Sequence, residues 1–107
     1  MGDASDHIIV LWLNSGSSSL KVALYSFCNG EVSKLASAAA EEIGGEAGKV
    51  WLRRGSRLLI DESRSCAGAT EATKYLITVL RDNSFPTPQN RAYSLWAVPP
   101  THAAMIF

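Results

Sequence analysis

Eight consecutive residues, Asn14-Ser15-Gly16-Ser17-Ser18-Ser19-Leu20-Lys21, bring together an amide, a glycine, a run of hydroxyls and one lysine. Their chemistry is that of anion recognition. Serine hydroxyls and turn N–H groups donate to phosphate oxygens and form a nest for an anion. Gly16 removes a Cβ that would hold a ligand away from the backbone. Lys21 adds a point charge for a phosphate group, and Asn14 offers an amide oxygen to a metal ion or its water shell. The string is not a Walker loop, which needs a second glycine before its lysine and a helix after it. A Ser/Gly-rich stretch between strands is equally what a solvated hairpin loop requires, and a single strand lysine is commonly just exposed.

The flanking segments must position this loop. Residues 7–13 (HIIVLWL) form a short apolar run rich in β-branched residues and too short for a typical helix. That pattern predicts a strand buried on both faces. Residues 20–27 (LKVALYSF) predict a second strand, with Leu20, Val22 and Leu24 on one face and Lys21, Ala23 and Tyr25 on the other. Asn29-Gly30 is a hairpin-turn signal. The stretch 32–43 passes through Ser37-Ala38-Ala39-Ala40, where propensity alone favours helix. Its place between a hairpin turn and Gly44-Gly45 keeps a strand open as well. Residues 49–53 (KVWLR) and 57–60 (RLLI), joined by Arg54-Gly55-Ser56, predict another hairpin.

From about Cys66 the period changes. Ala69, Ala72, Leu76, Val79 and Leu80 fall on one face of a helix, with Ser65 as its N-cap and Asp82-Asn83-Ser84 as its stop. Beyond Ser84, Pro86, Pro88, Pro99 and Pro100 predict an irregular tail with at most one short strand in 92–98. Met105-Ile106-Phe107 would leave an apolar end exposed.

Composition narrows the function classes. The chain has 107 residues, room for one domain or a piece of one, and its ten Lys/Arg balance ten Asp/Glu. That neutrality argues against a basic nucleic-acid binder and against an acidic disordered tail. No apolar run approaches the ~18 residues a membrane helix needs. The polar start, residues 1–7, lacks the basic region of a secretion signal, and Asp6 stands where a myristoylation motif wants Ser or Thr. Cys28 and Cys66 are far apart with no metal-type spacing, and read as reduced thiols of a cytosolic protein. His7 and His102 lie at opposite ends, and nothing in the spacing gathers them into a ligand set. All four prolines lie in 86–100, all eight glycines in 2–68, and Arg91 is the only charge after Asp82. The chain therefore divides near residue 83.

The string Asn14-x-Gly16-Ser17-Ser18-Ser19-x-Lys21, set between two apolar strands, resembles the first signature of acetate kinases. These belong to the acetokinase family of the actin-like ATPase superfamily, whose sugar kinases usually open this hairpin with Asp-x-Gly. Asn14 in that place points to the acetokinase branch. The unbroken serine run looks more like acetate or propionate kinase than butyrate kinase. Residues 34–44 and 49–53 are similar to the family's third strand and the region after it, and 66–81 occupies the place of its first helix. The resemblance covers about residues 8–82.

It implies an α/β fold, the opening part of an actin-like ATPase (ribonuclease H-like) domain. Residues 1–7 would be a polar extension, 8–82 the kinase-like part and 83–107 a Pro-rich tail departing from the family. It also implies transfer of phosphate from ATP to acetate with Mg²⁺, giving acetyl phosphate and ADP. Asn14 would contribute to the Mg²⁺ site, Lys21 to nucleotide phosphate, and Ser17 and Ser19 to phosphate oxygens, with Gly16 allowing the approach. Cytoplasmic location, and a homodimer for the complete enzyme, follow from the same resemblance. The family's Gly-His-Arg…His-Gly-Gly motif, whose arginine holds acetate, has no match: Arg91 lacks both flanks, and no role is carried to it. The acidic catalytic residue, the transition-state arginine and the adenosine pocket of the family lie further along than this sequence reaches. The chain alone is therefore expected to be inactive, with ATP held at about millimolar Kd at best. A truncated or frameshifted non-catalytic remnant with weak phosphate binding, or a fragment of a propionate kinase, are the alternatives.

Overall fold

A computed structural model of the protein describes residues 7–87, 94–98 and 102–106. Five strands follow one another as an antiparallel meander: β1 (His7–Ser15), β2 (Leu20–Cys28), β3 (Glu31–Glu41), β4 (Lys49–Arg54) and β5 (Arg57–Ser63). Helix α1 (Ala69–Asp82) then crosses one face of the sheet and touches β2, β3 and β4. A final hairpin, β6 (Ser94–Val98) and β7 (His102–Ile106), adds to the β1 edge, so the sheet runs β5-β4-β3-β2-β1-β7-β6. The outcome is a small α/β arrangement in which every neighbouring strand pair is antiparallel. Among the described residues, no helix is long and apolar enough to cross a membrane.

Turn chemistry sets the meander. Asn29 and Gly30 both hold positive φ, 53° and 83°, the backbone twist that two-residue hairpins prefer. This turn locks β3 against β2 and overrides the helical propensity of its alanines. Inner-face Ala36, Ala38 and Ala40 are buried, and their small side chains let α1 lie close to the sheet. Gly55, at φ 61°, turns β4 into β5. The hairpins expected at 28–31 and 54–57 therefore form where turn residues place them.

The helix forms on the expected face. Ala72, Leu76, Val79 and Leu80 are buried against Leu11, Leu24, Val50 and Leu52 in one core, whereas Ala69, at the first turn, is exposed. Glu71 near its start and Arg81 near its end oppose the helix dipole. Its N-terminus departs from expectation. The cap is Gly68, in extended backbone with no side-chain hydrogen bond, not Ser65. Ser65 lies too far upstream and instead donates from its hydroxyl to the Gly45 carbonyl (2.7 Å), tying the helix entry to the β3–β4 connection. The stop is as expected: Asn83 caps the C-terminus and its side-chain amide donates to the Val79 carbonyl at 2.8 Å.

Two further expectations change. β1 is buried on one face only: Ile9, Leu11 and Leu13 point into the core, while Val10 and Trp12 are half-buried and Ile8 is 46% exposed. The reason is that α1 covers one side of the sheet. The tail is not irregular throughout, because 94–98 and 102–106 pair with each other and β7 pairs with β1. In sequence the prolines fall outside both strands, as expected of residues that cannot donate to a ladder. Residues 1–6, Arg91 and Phe107 lie outside the described residues.

Candidate functional site

The β1–β2 hairpin delivers the chemistry-bearing residues to one place. Asn14 and Lys21 are direct register partners, and Ser15 pairs with Leu20, leaving residues 16–19 as the loop. Partners across an antiparallel pair have Cα atoms about 4.5–5.5 Å apart. The amide and the ammonium therefore start side by side, on the face opposite the helix, and both residues are exposed. The alternation of β2 holds as expected: Leu20, Val22 and Leu24 are buried while Lys21 faces out.

Two backbone hydrogen bonds shape the loop. The Gly16 N–H donates to the Ser19 carbonyl, and the Ile43 N–H donates to the Ser18 carbonyl, each at 2.8 Å. Neither bond uses the N–H of Ser17, Ser18 or Ser19. Ser17 and Ser18 are exposed and Ser19 is half-buried. The Ile43 contact anchors the loop to the end of β3, which limits the freedom a solvated hairpin tip would otherwise have. Gly16 has a local reason to be glycine: a Cβ there would lie 2.9 Å from the Ser19 hydroxyl oxygen. That hydroxyl folds over the glycine, so the residue shapes the loop itself as well as leaving room above it.

The loop opens onto a cleft of about 300 Å³ on the helix-free face of the sheet, lined by Trp12, Asn14, Lys21, Ala23, Lys34, Ser37 and Trp51 with the adjoining backbone. Lys34 reaches this face through a β-bulge. Leu24 pairs with Ala36 and Tyr25 with Lys34, so Leu35 is the extra residue. Before the bulge Val32 and Lys34 share the outer face; after it Ser37 and Ala39 do. Such an insertion re-aims side chains. Trp51 is fixed by two contacts: its indole N–H donates to a Glu41 carboxylate oxygen at 3.1 Å, and the Arg53 guanidinium lies 5.5 Å from its ring centre.

Trp12, Lys34, Ser37 and Trp51 were not among the residues the sequence singled out, because their convergence depends on non-local register. His102 is similar. In sequence it stands alone, yet the backbone register puts it opposite Asn14 on the other side from Lys21. Cys28 is exposed, Cys66 is buried, and both are free thiols.

The donor set can be tested against Mg²⁺. Asn14 and the loop serines offer neutral oxygens, and Lys21 beside them repels a bare dication. Among the described residues no group of three or more His, Cys, Asp or Glu could hold a metal ion. Mg²⁺ keeps much of its water and favours carboxylates with substrate phosphates. These residues do not fit a resident Mg²⁺ ion; an ion arriving with its own phosphate ligands would meet Asn14 only through its water shell.

A separate cluster joins α1 to β5. The Tyr75 hydroxyl donates to the Glu62 carboxylate, and the Arg64 guanidinium lies 3.9 Å from the Tyr75 ring centre. The hydrogen bond to Glu62, then burial, then the Glu62 charge hold the phenol above its ordinary pKa of 10.0, against the opposing pull of Arg64.

No protein-family model matches the chain, and no curated protein is significantly similar to it.

Proposed function

We propose that this chain supplies the phosphate-binding hairpin of an acetate kinase-like phosphotransferase, which moves the γ-phosphoryl group of ATP to acetate in the cytoplasm. The observation that carries the reading is the pairing of Asn14 with Lys21 at the mouth of the Gly16–Ser19 loop, on the open face of the sheet.

In that reaction an acetate oxygen forms a bond to the γ-phosphorus. The bond from that phosphorus to the bridging oxygen breaks, and ADP leaves with the electron pair. Such transfers rest on positioning and on neutralising phosphate charge, more than on covalent help from the protein. Lys21 places its ammonium against a phosphate oxygen. The N–H groups of residues 17–19 and the hydroxyls of Ser17 and Ser19 donate to others. Asn14 would accept from water on a Mg²⁺ brought by the nucleotide, and that ion would supply further charge neutralisation when bound.

The expected affinity is small. Three charge-assisted hydrogen bonds contribute about 1.5–3 kcal/mol each. Association costs several kcal/mol, so about millimolar Kd remains. The chain alone is expected to bind without turnover, and the homodimer belongs to the complete enzyme. Isothermal titration of ATP with Mg²⁺ into the full chain tests the binding. Lys21→Ala should weaken it about tenfold or more; unchanged affinity would remove Lys21 from the site. An acetate-dependent hydroxamate assay should stay at background, and turnover would overturn the statement that the hairpin alone is insufficient.

A further inference from the structure

The cleft beside the loop carries more than phosphate chemistry requires. Trp12 on β1 and Trp51 on β4 stand three strand spacings apart, about 14 Å between backbones. Between them the floor is made of small residues. Ala23 pairs with Trp12 on one side and Ser37 on the other, while Ala39 lies between Lys21 and Trp51 and is fully buried. Lys21 stands towards one end and Lys34 towards the other, and among the described residues neither makes an ion pair. The acids of this face are already engaged: Asp61 pairs with Lys49 at 3.5 Å, and Glu41 holds the Trp51 indole. Arg53 lies over the Trp51 ring without lining the cleft, and with Glu41 it fixes the wall before any ligand arrives.

We propose that this outer-face cleft, walled by Trp12 and Trp51 and bearing Lys21 and Lys34, binds a small planar aromatic anion. The volume, about 300 Å³, is at the lower end of ligand-site sizes, which limits the occupant to one ring system and its charged group. The Trp51 indole selects a flat ring, by stacking and by burial of apolar area, and Trp12 lines the opposite side of the cleft. The two lysines select negative charge, and Ser37 and Asn14 add hydrogen-bonding groups beside them. The cleft does not require the phosphotransferase reading: it shares Lys21 and Asn14 with the loop, but its selectivity comes from Lys34 and Trp51.

Phenyl phosphate is the probe, titrated into the full chain by calorimetry, with tryptophan fluorescence as a second readout. Benzoate tests the carboxylate version of the same chemistry. Inorganic phosphate and benzyl alcohol test charge and ring separately. The expected result is that phenyl phosphate or benzoate binds at least about tenfold more tightly than either control, and that Trp51→Leu and Lys34→Ala each weaken it several-fold. Lys34→Ala changes an exposed residue and preserves the fold, so it decides the matter should Trp51→Leu destabilise the sheet. If neither phenyl phosphate nor benzoate binds more tightly than inorganic phosphate, or if binding is fully retained in Lys34→Ala, the proposal is overturned. Binding of ATP with Mg²⁺ should survive Lys34→Ala, which separates failure of the cleft from failure of the loop.

Discussion

The two faces of the sheet are built from alternate residues of the same strands, and they behave as different materials. On the inner face Leu11, Leu24, Val50 and Leu52 meet Leu76 and Leu80 of α1, all almost fully buried. On the outer face Asn14 and Lys21 are exposed, and Trp12 and Trp51 are half-buried around small residues. The period of two along a strand makes this division possible. One set of side chains holds the fold by removing apolar area from water. The other carries polar and aromatic groups that add little to the core. Each face can therefore be altered with limited effect on the other.

The largest effect should come from the inner face. Leu76→Ala deletes a buried side chain at the centre of α1 and should cost about 2–5 kcal/mol in urea unfolding. Lys21→Ala, on the outer face, should cost under about 0.5 kcal/mol. Similar losses from the two would mean that the outer face holds the fold as much as the inner one does. Next is the β2–β3 turn, which sets the register of both faces together. Gly30→Ala forces a Cβ at φ 83° and should lower stability by about 1 kcal/mol, read in the same unfolding experiment.

The contact between α1 and β5 makes the stability of the helix-bearing side depend on pH. Tyr75 holds its proton more tightly when folded than when unfolded. Below the ordinary phenol value both states are protonated, and the contribution is fully present. As pH rises past that value the unfolded chain releases its proton first, so stability falls until the folded phenol also ionises. Unfolding at pH 9 and pH 11 should show this loss, and Tyr75→Phe should reduce it. An equal loss in the variant would assign the pH dependence to other groups.

The smallest stability effect should be Gly16→Ala. The new methyl group displaces only the Ser19 hydroxyl, which can rotate away. Thermal unfolding should barely change, while affinity for ATP with Mg²⁺ should fall several-fold as the donor is re-aimed. A large loss of stability instead would make Gly16 a structural residue rather than part of a binding loop.

Local chemistry made most of the meander legible. Asn29-Gly30 and Gly55 mark turns by themselves, the alternation in 20–27 separates Lys21 from the core, and the 3.6-residue spacing from Ala72 to Leu80 identifies α1. What escaped depends on distant partners. The alanines of β3 favour helix until the hairpin turn pairs them with β2. Placing Lys34 beside Ser37 requires the extra residue Leu35, which no local pattern announces. Trp51 comes beside Lys21 only through two successive registers. Ser65 looks like an N-cap in sequence, but the β3–β4 connection draws its hydroxyl to Gly45. β7 lies in a proline-flanked segment whose pairing with β1 spans about ninety residues of sequence. The loop motif itself needed no structure to be found. Its neighbours did.

Amide-resolved NMR during addition of ATP with Mg²⁺ to the full chain asks directly whether the Gly16–Ser19 loop holds nucleotide phosphate. The largest shifts should fall on the amides of Ser17, Ser18 and Ser19 and on Lys21, saturate at millimolar nucleotide, and be suppressed by Lys21→Ala. Shifts centred elsewhere, such as the start of α1, or a loop that stays unperturbed at saturating nucleotide, would contradict phosphate binding by this loop.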